Sequence, residues 1–241
     1  MARTVNVAEH AARRDEILDA AQRLILSSGY ERLTVQDILD CLQISKGAFY
    51  HYFHSKPAVI EALTRRLVGD SERALAPIVG DPAMGAVEKL QAFFGEIIRW
   101  KSERQNLFVA MLPVWYAPDN FAFRFLVDRE SAKRLAPLLS AIIRQGIDEG
   151  RFATAYPDQA GTILFAIIQA LQDAMAQRLI AASRVKEMVN THGAHMEAIE
   201  RYLGVPAGTL NRVEARTVKS WIAAADRKRQ GSWRFGRPRV S

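Results

Sequence analysis

The 241-residue chain has one cysteine, Cys41, so no intramolecular disulfide can form and a reducing compartment is indicated. Its first residues, MARTVNVAEHAARRDEIL, hold no apolar stretch of the kind a secretory signal needs. The longest apolar stretch, residues 162–180, is broken by Gln169, Gln172, Asp173, Gln177 and Arg178, and does not read as a membrane span. A cytoplasmic protein without a membrane role is expected. Catalytic signatures are missing too. There is no G-x-S-x-G, Walker A, H-E-x-x-H or paired-carboxylate constellation, so neither an enzyme nor a cofactor is expected. His51-x-x-His54 and His192-x-x-His195 have a spacing a metal can use, but neither has a nearby Cys or an evident third ligand. Surface or packing roles account for them better, and no metal site is expected. No segment alternates cleanly enough for a strand, which makes the chain all-α.

The net charge of +7 is unevenly placed. Residues 204–241 hold nine Lys or Arg against two Asp or Glu, whereas residues 1–203 balance at 24 against 24. The basic character therefore belongs to the tail, and net charge is no argument for nucleic-acid binding by the rest.

Residues 9–28 read as a first helix, with Ile17, Ala20, Ala21, Leu24 and Ile25 on one face and Gly29 placed to end it. Thr34 is spaced to cap a second helix, with Asp37 completing a capping box. Gln43 and Ile44 make a turn, Ser45 caps a third helix, and Ser55 caps a long fourth one that carries Pro57 in its first turn. Breaks are expected near Pro113, residues 118–120, Gly150 and Pro157.

Residues 45–53 are the most informative stretch. At about 100° per residue, Phe49 and Phe53 share one side, where a core would take them. Gly47 and His51 fall roughly opposite, Ala48 lies nearby, and Tyr50 and Tyr52 lie on the flanks. Small residues let another body approach closely, and phenols and a lysine supply donors. A DNA major groove fits such a face. Lys56 starts the next helix, where the helix dipole prefers negative charge, and a docked phosphate would remove that conflict.

The first helix, then Thr34-Val35-Gln36-Asp37-Ile38-Leu39, then Ile44-Ser45-Lys46-Gly47-Ala48-Phe49-Tyr50-His51-Tyr52-Phe53-His54-Ser55-Lys56, resembles the TetR/AcrR class of bacterial transcriptional regulators over about residues 10–63. The remainder agrees in length and helical character only. The resemblance implies that Tyr50, Tyr52 and Lys56 hold phosphates, with Thr34 holding another. It places Ser45, Lys46, Gly47, Ala48 and His51 against bases or the adjoining backbone. Lys46 can take a guanine, His51 an acceptor and Ala48 a thymine methyl. One departure is Gln43, where the family commonly has Gly; a left-handed Gln there is strained by about 1 kcal/mol or more.

Residues 93–125 are rich in large apolar groups that form either a helical core or the wall of an effector cavity; the candidates are Phe93, Trp100, Phe108, Met111, Trp115, Tyr116, Phe121 and Phe125. Arg99, Lys101 and Arg104 read as a solvated face. The helix over 157–180 is apolar on almost its whole circumference and needs cover on most sides. A twin subunit can supply it, with Leu164, Ile167, Ile168, Leu171, Met175, Ile199 and Tyr202 as the candidate dimer interface. A further helix is expected from Thr209, followed by a disordered basic tail from Arg227 to Ser241.

The expected architecture is an N-terminal three-helix helix-turn-helix domain (1–55), an effector-binding and dimerising helical bundle (56–203), and a basic C-terminal helix and tail (204–241). The expected function is a ligand-responsive transcriptional regulator, a repressor, bound as a homodimer to a near-palindromic double-stranded operator and released by a small apolar or aromatic effector of unknown identity. The alternative is a helical DNA-binding interaction protein controlled by a protein partner.

Overall fold

The computed structural model describes residues 7–117 and 120–232. Ten helices and no strand occur among them: α1 (Val7–Ser28), α2 (Val35–Leu42), α3 (Lys46–Tyr52), α4 (Lys56–Gly80), α5 (Ala86–Glu103), α6 (Gln105–Trp115), α7 (Phe121–Asp148), α8 (Pro157–Ile180), α9 (Val185–Leu203) and α10 (Ala215–Ser232). The N-terminal caps are those read from the sequence. Thr34 Oγ1 accepts from the Asp37 N–H at 3.1 Å while the Asp37 carboxylate accepts from the Thr34 N–H at 2.8 Å. Ser45 and Ser55 accept from the N–H groups of Ala48 and Ala58. Each satisfies a donor that the start of a helix leaves unpaired.

Three apolar clusters hold the helices together. The first joins Ile17, Leu18 and Ile25 of α1, Ile38 of α2 and Phe49 and Phe53 around α3 to Val59, Ile60 and Leu63 of α4 and Met111 of α6. The second lies between α4, α5, α7, α8 and α9, around Leu75, Leu90, Leu139, Ile143, Leu164 and Ile199. The third seats α10 on α6, α8 and α9 through Val218 and Ala225. Helix α4 thus contributes to two clusters, and Arg66 on it pairs with Asp19 of α1 at 2.8 Å. Helices α7 and α8 pack closely at Gly161, where a Cβ would lie 1.9 Å from Ser140 Oγ and 2.7 Å from the Ala136 carbonyl oxygen.

Several expectations change. The chain does not break at Pro113, which lies inside α6; the break falls at Tyr116 and Ala117, and Pro118 lies outside the described residues. A break that no Gly or Pro announces separates α5 from α6 at Arg104, whose guanidinium donates to the Trp100 carbonyl at 3.1 Å and lies over the Trp100 ring. Helix α10 starts at Ala215 instead of Thr209, and Leu210 and Val213 are buried in the connector before it. Its C-terminal end includes Arg227, Lys228 and Arg229, so the expected disordered tail does not begin at Arg227. Arg229 donates to the Leu179 carbonyl at 2.7 Å, supplying a donor at the C-terminal end of α8, where carbonyls lack helical partners. Residues 233–241 of the expected tail lie outside the described residues.

The candidate dimer interface changes most. Leu164, Ile168, Leu171 and Ile199 are buried in the chain's own core, and Ile167, Met175 and Tyr202 are partly buried against it, because α7 and α9 cover those sides of α8. By length and composition α8 is the one described helix able to cross a membrane, and 33% of its most apolar window is buried. Thr162, Ile163, Ala166 and Ala170 remain exposed along one stripe.

Gln43, which ends α2, has φ 51° and ψ 43°, the left-handed conformation that a Cβ disfavours. Gln43→Gly is expected to raise unfolding stability by about 1 kcal/mol, measured by urea denaturation; an unchanged or lower midpoint would show that the turn carries no strain.

Candidate nucleic-acid interface and ligand cavity

Helix α3 has seven residues, too few to persist alone, and is held by Phe49 and Phe53, which are buried in the first core. Opposite them Ser45, Lys46, Gly47, Ala48, Tyr50 and His51 are exposed. Tyr52 is half-buried. Its ring lies 4.7 Å from that of His10 on α1, and His10 also meets His51 at 5.5 Å, so α1 braces one flank of the face. No sequence pattern singles out His10.

Two expected contacts already have partners within the chain. The Thr34 hydroxyl donates to the Asp37 carboxylate at 2.8 Å, which holds that carboxyl below its usual range. Lys56 is half-buried, donates to the Tyr30 carbonyl at 2.9 Å and lies 4.0 Å from the Tyr30 ring centroid. Burial lowers its pKa. The position of Lys56 is therefore explained without a phosphate, contrary to the electrostatic argument from the sequence.

A cavity of about 320 Å³ opens among α4 to α10. Trp100, Phe108, Trp115 and Tyr116 line it as expected. Phe93 and Met111 do not: both are buried in the clusters, and Phe94 faces the cavity in place of its neighbour. Phe121 and Phe125 are 76% and 60% exposed. They share one face of α7, while Arg124, Val127, Asp128, Ser131 and Leu135 line the cavity from another.

The polar lining was largely missed. Lys101 donates to Gln172 Oε1 at 2.6 Å, Gln172 to Gln169 Oε1 at 3.0 Å, and Gln169 to Asp128 Oδ1 at 2.8 Å. Arg124 donates to Asp173 at 2.5 Å, and the Tyr116 hydroxyl donates to the other oxygen of Asp173 at 2.7 Å. Burial and the Asp173 charge raise the Asp128 pKa, while burial and Asp173 raise that of Tyr116. Two signals were available in the sequence: Gln169, Gln172 and Asp173 interrupt an apolar helix, and Lys101 continues the apolar stripe of Phe94 and Ile97 at i+7 and i+4. Lys101 lines the cavity and does not belong to the solvated face expected for it. Trp221 closes another side, its indole N–H donating to Ser102 Oγ at 3.2 Å.

His192 also lines the cavity and is buried, its Nδ1 accepting from the Val213 N–H at 3.3 Å. Among the described residues no three His, Cys, Asp or Glu side chains group as metal ligands.

Helix α2, the left-handed turn at Gln43 and α3, with its exposed face, make a helix-turn-helix unit of the DNA-binding kind. Comparison with known proteins gives the family. The description "Bacterial regulatory proteins, tetR family" matches residues 17–63. The chain is 34% identical over 157 residues to the transcriptional repressor KstR2 of Mycolicibacterium smegmatis, covering 59% of this chain and 68% of that protein. This chain belongs to the tetR family. It is also 35% identical over 82 residues to the repressor Rv1474c of Mycobacterium tuberculosis, covering 34% of this chain but only 42% of that relative's length. The fold matches RolR in complex with resorcinol at a TM-score of 0.59, with 17% identity and coverage of 90% of this chain and 96% of that one.

Burial, with the Arg212 and His195 charges behind it, lowers the His192 pKa from 6.5 to about 4. Between those values the unfolded chain binds a proton that the folded chain refuses, so stability rises with pH across the window and is lost on acidification. The melting temperature is expected to fall between pH 6.5 and 4.5, and His192→Gln, which keeps an acceptor for Val213, should flatten that slope. An unchanged slope in the variant would assign the acid sensitivity to other groups.

Proposed function

We propose that the chain is a cytoplasmic transcriptional repressor that binds a near-palindromic operator as a homodimer and releases it when a small apolar or aromatic molecule enters the cavity. The observation that carries this reading is the shared helix α4. Its Val59, Ile60 and Leu63 pack under α3, and its Thr64, Leu67, Val68 and Ser71 line the cavity. A ligand that favours one position of α4 therefore favours one position of α3. A near-complete switch needs about 5.5 kcal/mol of differential affinity between the two states. The named relatives support the repressor role, and the ligand-bound RolR supports a small-molecule effector. The open cavity favours this reading over a partner-controlled DNA-binding protein without small-molecule induction.

On the DNA face, Tyr50, Tyr52 and Lys46 are assigned to phosphates or the adjoining backbone, and Gly47, Ala48 and His51 to close approach and base edges. Ser45 caps α3 beside them, while Thr34 and Lys56 reach DNA only by exchanging their internal partners. The dimer is assigned to the outer stripe of α8, Thr162, Ile163, Ala166 and Ala170, with Ala194 and Ala198 of α9 beside it. Small side chains let a second copy pack closely, and two DNA-reading helices about 34 to 36 Å apart then meet successive major grooves.

Tyr50→Phe and Lys46→Ala are each expected to weaken binding to the gene's own promoter fragment by about tenfold with an unchanged melting temperature. Gel-shift titration measures this, and wild-type affinity in both variants would remove the assigned contacts. Ala170→Arg is expected to give monomers by sedimentation equilibrium; a variant that stays dimeric would place the interface elsewhere.

A further inference from the structure

The polar groups of the cavity fall into two sets of opposite character. At one, Asp128 and Asp173 share the guanidinium of Arg124, and they also accept from Gln169 and Tyr116. Two carboxylates around one cation leave that set formally negative. At the other, Lys101 lines the cavity beside Gln172 and among apolar side chains, with its ammonium 5.8 Å from the Phe108 ring centroid. Its hydrogen bond goes to the neutral amide of Gln172, and no carboxylate pairs with it among the described residues. The other titratable groups facing the cavity, Tyr116 and His192, are neutral near pH 7: burial raises the phenol's pKa and lowers the imidazole's, so neither offers Lys101 an anion.

An ammonium withdrawn from water is costly unless an anion accompanies it, and Lys101 is half-buried. Burial alone pushes the Lys101 pKa down to about 8, so the group remains mostly charged at pH 7 and lacks a counter-ion. We propose that the cavity takes a small apolar monocarboxylate, an arylalkanoic acid or a compound of similar size, whose carboxylate pairs with Lys101 while its ring packs among Trp100, Phe108, Leu112 and Trp115. This inference rests on the cavity being the effector site. The ligand has one orientation, because the two carboxylates that already share Arg124 repel a third. A cavity of about 320 Å³ suits one or two rings better than a long chain. The carboxylate and ammonium lose water together and form a charge-assisted hydrogen bond in a weakly screened site, so a neutral isostere cannot replace the acid.

Naphthalene-1-acetate and naphthalene-1-acetamide have nearly the same shape and differ in charge. Calorimetric titration of the full chain at pH 7 is expected to show the acetate binding at least about tenfold more tightly than the amide. Lys101→Gln should remove the preference for the acetate over the amide, whereas Lys101→Arg should retain it. Equal binding of the two compounds, no saturable binding by the acetate, or a Lys101→Gln protein that still prefers it would each overturn the inference. If Lys101→Gln does not fold, the two compounds on the wild-type chain decide the question. Release of the promoter fragment is scored separately. Tight acetate binding without release overturns the regulatory reading and leaves the carboxylate site standing; release by the amide in preference to the acetate overturns the carboxylate site and leaves regulation standing.

Discussion

The structure depends on the continuity of α4. This helix of 25 residues spans about 37 Å at 1.5 Å per residue. Its first turns complete the core beneath α3, and the face that follows forms a wall of the cavity. Because packed interiors resist small displacements, the two regions cannot adjust independently through this element. The ion pair of Arg66 with Asp19 adds a polar tie to α1 at the same level.

Helix α3 shows how little secondary structure an exposed helical face requires when tertiary packing supports it. Seven residues cannot hold a helix in water, but Phe49 and Phe53 inside the core, Ser45 at the cap and His10 beside Tyr52 fix its orientation. The left-handed Gln43 accepts a backbone cost to bring α2 and α3 to their angle. Internal bonds of Lys56 and Thr34 make those two residues part of the support for this face.

The cavity follows a different logic. Its apolar walls come from residues that any helical bundle of this composition would bury. Its character comes from a row of polar groups on α5, α7 and α8 that satisfy one another across the space between them. Helix α10 closes the cavity with Trp221 and is held over it by the bond from Arg229 to the end of α8.

The helix-turn-helix was legible because its determinants are local. Caps, a turn and an aromatic pair four residues apart act within one or two helical turns, so their spacing alone specifies them. The all-helical class was legible for the same reason, through the apolar period. Which apolar residues face a cavity, a core or solvent was not. Phe93 and Phe94 are adjacent, equally apolar and both buried in the second cluster, and only the placement of the surrounding helices turns Phe94 and not Phe93 to the cavity. Leu164 and Ala166 differ likewise, one covered by the chain's own helices and the other left on the surface. The sequence by itself determined the helix-turn-helix elements and the exposed face of α3, since these rest on neighbours in the chain. Only the tertiary structure decided the cavity, the absence of a carboxylate partner for Lys101 among the described residues and the outward stripe of α8, since these rest on contacts between helices distant in sequence.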